Sequence, residues 1–134
     1  RQINFGMMDM AFHSITGEIH GKAEDFENKH IISLMPPIPG FCSSTAFTHI
    51  FSGGYAAGYY GYKWAEVLDA DAFTKFQENG VFDKATAQRL RETILSKGGT
   101  KHPAQLFRDF MGRDPNPDAL IFRSGFMKKV SLEK

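Results

Sequence analysis

The chain has 134 residues and a mass of 15.0 kDa, with 42% hydrophobic and 23% charged residues, which is the composition of a folded domain and excludes a disordered tail or linker. Sixteen Lys and Arg against fifteen Asp and Glu leave a formal net charge of +1, so no global field draws nucleic acid or an anionic membrane to it, and binding must come from a local site. No apolar run approaches the ~20 residues of a membrane span, and the start, Arg1-Gln2-Ile3-Asn4, lacks the layout of a secretory signal. Cys42 is the sole cysteine, which excludes an internal disulfide and suits a reducing compartment such as the cytoplasm.

A chain of this size holds a single core, so residues 1–134 are expected as a single helical segment. From Asn4 to His20 the apolar residues Phe5, Met7, Met8, Met10, Ala11 and Phe12 are too dense for an outer-surface helix, so this piece is expected either to be deeply buried or to lie against something that is missing. From Lys22 to about Leu34, Phe26, His30 or Ile31, and Leu34 share a helical face that stops before Pro36-Pro37-Ile38-Pro39-Gly40, a rigid connector or an extended docking motif. A long helical stretch follows Gly53-Gly54 through Trp64, Val67, Leu68, Phe73 and Phe76 to Asn79-Gly80, with room for a break near Asp69 or Asp71.

Asp83 reads as the N-cap of the next helix, whose face is Leu90, Ile94 and Leu95 and whose end is Gly98-Gly99. Pro103 occupies a first helical position, Leu106, Phe107, Phe110 and Met111 form a stripe, and Gly112 closes that helix. Arg113-Asp114-Pro115-Asn116-Pro117 is a turn before a short segment around Ala119 to Phe122, and the polar tail Met127 to Lys134 is expected to fray. Alternating stretches are few, so the fold class is all-α, built from about six helices.

All four tyrosines, Tyr55, Tyr59, Tyr60 and Tyr62, fall within eight residues, among Gly53, Gly54, Gly58 and Gly61. Each interior glycine costs a helix about 0.8–1.0 kcal/mol relative to alanine, so these glycines imply close approach or mobility. If the segment from Tyr55 is helical, Tyr55, Tyr59 and Tyr62 stand at i, i+4 and i+7 and present three phenols on one face, with Tyr60 pointing elsewhere. Such phenols either pack against neighbouring helices or line a cleft and donate to a carbonyl or an oxyanion.

None of the five histidines belongs to a His-Glu-x-x-His pair. His20 with Glu24 and Glu27 with His30 have helical spacing, but two ligands make no zinc site, and each pair reads equally as a charge pair or a cap. His49 lies four residues before the glycine pair, at the mouth of the tyrosine segment. Cys42 has no activating base nearby in sequence, and neither a Gly-x-Ser-x-Gly elbow nor a phosphate loop is present. Basic residues are not interleaved with the aromatics, which argues against nucleic-acid stacking.

The run Phe47-Thr48-His49-Ile50-Phe51-Ser52-Gly53-Gly54-Tyr55-Ala56-Ala57-Gly58-Tyr59-Tyr60-Gly61-Tyr62-Lys63-Trp64-Ala65-Glu66-Val67-Leu68 closely resembles the C-terminal catalytic region of the thimet oligopeptidase family of zinc metallopeptidases, which includes oligopeptidase A and the peptidyl-dipeptidases. The resemblance continues through Asp69-Ala70-Asp71-Ala72-Phe73, Ile94-Leu95-Ser96-Lys97-Gly98-Gly99 and Phe110-Met111-Gly112-Arg113, and Asp9-Met10-Ala11-Phe12-His13 shares it. It implies a C-terminal fragment, one wall of a deep cleft, with the zinc-binding His-Glu-x-x-His helix and the further glutamate ligand lying upstream. The fragment alone is then expected to bind no zinc and to hydrolyse nothing.

By position, the resemblance implies that residues 47–62 form the substrate loop and that Tyr62 donates its hydroxyl to the oxyanion of a tetrahedral intermediate. Tyr55 and Tyr59 would bind the main chain of a short peptide, and His49 would assist. Gly53 and Gly54 would allow positive φ and a swing, and Gly58 a close backbone approach. The missing part of the enzyme is the other expected partner, and the isolated chain is expected to self-associate through its Phe- and Met-rich N-terminal segment. The alternative is a non-catalytic, aromatic-rich helical interaction module.

Overall fold

The computed structural model describes residues 1–31 and 38–126 and divides the chain into two compact units, Arg1–Lys63 and Trp64–Lys134. Every regular element among the described residues is helical, with seven α-helices, so the all-α expectation holds and the count slightly exceeds it. No helix among these residues is long and apolar enough to cross a membrane.

In the first unit, α1 (Gln2–Ser14) explains the dense N-terminal run by using two apolar faces. One face turns inward. Phe5 meets Phe47 and Tyr59, Phe12 meets Phe26 and Phe51, and Met8 and Asp9 between them are buried. The opposite face, with Ile3, Met7 and Met10, lines an apolar hollow of about 690 Å³ that Tyr60 and Lys63 complete. The run is therefore neither wholly buried nor wholly uncovered.

Helix α2 (Ala23–His30) carries Glu24 and Asp25 in its first turn and Lys29 and His30 in its last, matching the helix dipole at both ends. It stops at His30 because Ile31 is extended, earlier than the expected end near Leu34. Leu34 and Pro36-Pro37 lie outside the described residues, whereas Ile38 to Phe41 form a turn with Gly40 at positive φ. A 3₁₀ turn (Ser44–Ala46) leads to the single-turn helix α3 (Thr48–Phe51), anchored by the fully buried Ile50.

Helix α4 (Gly61–Asn79) begins later than expected, because residues 52–60 are turns. It runs through Asp69 and Asp71 without a break. In the second unit Val67, Ala70 and Asp71 are its buried positions, and Gly80 at φ 111° follows its end. Asp71 serves as a buried charge partner: Arg113 donates to its two oxygens at 2.7 and 2.6 Å, and the Asn116 N–H donates at 2.8 Å.

Helix α5 (Lys84–Leu90) starts at the expected cap, where Asp83 accepts from the Thr86 N–H at 2.6 Å. It passes into a π turn (Arg91–Leu95) that the sequence pattern did not suggest, with Ser96 N–H donating to the Arg91 carbonyl. Helix α6 (Pro103–Met111) has Pro103 in its first turn and Gly112 at φ 77° as its left-handed cap. Its Phe107, Phe110 and Met111 form the core of this unit, covered by Leu68, Ala72, Phe76, Leu90 and Ile94. Burying a Phe fully, as for Phe110, contributes roughly 1.5–3 kcal/mol. Helix α7 (Asp118–Arg123) is the short segment expected around Ala119 to Phe122, and residues 127–134, the expected frayed tail, lie outside the described residues.

Candidate active site

The tyrosines of the first unit converge, though not by the helical face that their spacing suggests. Tyr55 and Tyr59 lie in turns and Tyr62 in the first turn of α4, yet the three rings touch pairwise. Tyr55 stacks on Tyr62 with centroids 5.2 Å apart, Tyr59 lies 5.0 Å from Tyr62, and Tyr55 meets Tyr59 edge-on at 6.1 Å. His49 is 6.0 Å from Tyr55 and 6.2 Å from Tyr59. Tyr60 leaves this group and joins the hollow along α1, as expected.

Phe5 and Phe47 hold the half-buried Tyr59 from below by edge-on contacts at 5.9 and 4.8 Å. Tyr55 and Tyr62 remain 37% and 40% exposed, so their hydroxyls are not sealed in a core. The adjacent Tyr55 hydroxyl, with smaller effects of burial and of the neighbouring tyrosines' charge, holds the Tyr62 pKa above the ordinary phenol value. Such a group stays a donor over a wide pH range.

The backbone explains the glycines differently at each position. Gly54 sits at φ 81°, as a positive-φ role requires. Gly53 is needed for space: a Cβ there would lie 2.7 Å from the His49 Cα, because the Gly53 and Tyr55 N–H groups curl back onto the Thr48 and His49 carbonyls. Gly58 makes no unusually close approach, since a Cβ there would meet the Tyr55 carbonyl oxygen at an ordinary 3.6 Å. Ala57 has φ 53°, a left-handed conformation that costs an L-residue roughly 1–2 kcal/mol.

Two buried carboxylates support the site from beneath. Asp9 accepts from the Ala57 and Tyr59 N–H groups at 2.9 and 2.8 Å. Glu27 accepts from the Ser43 N–H and hydroxyl at 3.0 and 2.8 Å, from the Ser44 N–H and from the Cys42 thiol, fixing the turn that enters α3 and His49. Burial pushes the Glu27 carboxyl up, but the bonds from Ser44, Cys42 and Ser43 together outweigh it and leave the pKa below the usual value. Sequence spacing missed both roles. The available signal was a charged residue inside the apolar run Met7-Met8-Asp9-Met10-Ala11-Phe12, where only a paired group is tolerated.

Three members of the helical pairs weighed as metal ligands are engaged elsewhere. Glu27 is committed to residues 42–44, Glu24 accepts from the Gly40 N–H, and the His30 Nδ1 bonds the Phe26 carbonyl. Among the described residues no three His, Cys, Asp or Glu side chains converge, so these residues do not fit a zinc site.

Residues 1–126 match the family model described as Peptidase family M3. The chain belongs to that family. This M3 chain is 44% identical over 136 residues to the probable cytosolic oligopeptidase A of Arabidopsis thaliana, covering 95% of this chain and 19% of that protein. It is 42% identical over 129 residues to oligopeptidase A of Escherichia coli (93% and 19%), and 35% identical over 117 residues to the dipeptidyl carboxypeptidase of the same organism (84% and 17%). The M3 chain thus spans about a fifth of the length of these relatives.

Proposed function

We propose that this chain supplies the substrate-binding and oxyanion-donating wall of a zinc peptidase that hydrolyses short peptides in the cytoplasm. The observation that carries this reading is the convergence of Tyr55, Tyr59, Tyr62 and His49, with the Tyr55 and Tyr62 rings reaching solvent. Membership of a peptidase family supports it, as do relatives named oligopeptidase A and dipeptidyl carboxypeptidase.

When a peptide bond is attacked, its carbonyl oxygen gains charge, and a preorganised donor aimed at that oxygen lowers the barrier. Tyr62 fills that role, and its raised pKa keeps the proton in place. Tyr55 and Tyr59 bind the substrate main chain, and His49 assists at the mouth of the segment. Gly53 and Gly54 shape the backbone between them, and Gly58 lies within the same substrate loop. Zinc is held by residues outside this chain, which by itself cleaves nothing and which self-associates through the apolar face of α1.

Tyr62→Phe in the full-length enzyme is expected to lower kcat by roughly 10²–10³, the effect of losing one oxyanion donor. Unchanged kcat with a raised KM would make Tyr62 a ground-state binder and overturn this assignment.

A further inference from the structure

We propose that Asp9 is a positioning residue that holds the tyrosine segment in its working shape, an inference that rests on the peptidase reading for its catalytic consequence. Asp9 lies on α1, 48 and 50 residues before its two amide partners, and is fully buried. Its Oδ1 accepts from Ala57 and its Oδ2 from Tyr59, so the carboxylate sits in a concave turn of backbone N–H groups, the arrangement that binds anions in proteins. Here the anion belongs to the chain itself.

The turn needs this partner. Ala57 is the one non-glycine residue at positive φ among the described residues, and such a conformation persists only where its surroundings over-determine it. The hydrogen bonds within the turn run from Gly58, Gly61, Tyr62 and Lys63, and the Ala57 and Tyr59 N–H groups take no part in them. Without Asp9 both would lose the acceptor that the structure gives them. On its other side Asp9 is steadied by His13, whose Nδ1 lies 2.9 Å from Oδ1 and 2.8 Å from the Asp9 carbonyl oxygen, while the His13 ring packs 5.9 Å from Phe51. Because Tyr59 touches both Tyr55 and Tyr62, a shift of the 57–59 backbone would move the whole phenol cluster.

The test combines Asp9→Asn with hydrogen exchange at single-amide resolution in the full-length protein. Asn keeps the shape but turns an NH₂ group toward one of the two N–H donors. In the unaltered protein the Ala57 and Tyr59 amides are expected to exchange about tenfold or more slowly than Ala56, whose N–H has no partner among the described residues. Asp9→Asn is expected to remove that protection at the amide that meets the NH₂ group and to lower kcat/KM by roughly tenfold or more. It is expected to add less than about threefold in a Tyr62→Phe background, because both changes disturb one device.

Equal loss of activity in both backgrounds, or unchanged exchange at Ala57 and Tyr59 in Asp9→Asn, overturns the proposal. Should Asp9→Asn fail to fold, equal exchange at Ala56, Ala57 and Tyr59 in the unaltered protein overturns it on its own. A Tyr62→Phe enzyme of normal kcat would instead count against the oxyanion role of Tyr62, and the exchange rates would still decide the role of Asp9.

Discussion

Tyr62 keeps its proton more tightly than a free phenol, and the first cause is the neighbouring Tyr55 hydroxyl. In the proposed role of oxyanion donor Tyr62 must be protonated, so a pKa held above the ordinary value is expected to extend activity on the alkaline side. Tyr55→Phe is expected to bring the Tyr62 pKa down toward its ordinary value of 10.0 and to shift the alkaline limb of kcat to lower pH in the full-length enzyme. Phenolate absorbance measured against pH checks the same change without substrate. A limb that stays in place would mean that the Tyr55 hydroxyl does not govern Tyr62.

Among the elements, α3 and the turns after it are shaped by what cannot fit. A Cβ on Gly53 would meet the Cα and carbonyl oxygen of His49 at 2.7 and 3.0 Å, and backbone atoms cannot rotate out of the way. Gly53→Ala is expected to push α3 aside, lowering stability by roughly 1–3 kcal/mol in thermal unfolding and displacing His49. Gly58→Ala is the matched control: its Cβ finds ordinary contact distance, so it is expected to cost less than about 1 kcal/mol. Equal effects of the two changes would show that backbone crowding at His49 is not what Gly53 prevents.

For the whole molecule, acid is the common weakness of the two units. Burial raises the Asp71 pKa, but the bonds from Arg113 and Asn116 lower it further, leaving it below its ordinary 3.8; Glu27 likewise lies below its ordinary 4.5. A carboxylate with a depressed folded pKa adds stability that is complete above the unfolded value and disappears as pH falls through the folded one. The melting temperature is therefore expected to be flat near neutral pH and to fall from about pH 5 downward. Asp71→Asn should lower stability by about 1.5 kcal/mol at pH 7, at the low end for charge-assisted bonds because Arg113 is half exposed, and should flatten the acid slope. Thermal unfolding of both chains from pH 7 to about pH 3 measures this, and an unchanged slope would remove Asp71 as its source.

Local chemistry made much of the fold legible. Asp83 as a cap, Pro103 at a helix start, Gly80 and Gly112 at helix ends and the stripe of Leu106, Phe107, Phe110 and Met111 depend on neighbours within a few residues, which the order of the chain alone specifies. The proximity of Tyr55, Tyr59 and Tyr62 was legible for a reason that proved incomplete: they are too near in sequence to lie far apart, although turns and not a helix bring them together. The burial of Asp9 beneath Ala57 and Tyr59, of Glu27 beneath Ser43 and Ser44, and of Asp71 beside Arg113 joins residues 16 to 50 positions apart. No periodicity records such pairs, because a buried charge is set by the partner that the folded chain brings to it, and only the tertiary structure decides which partner that is.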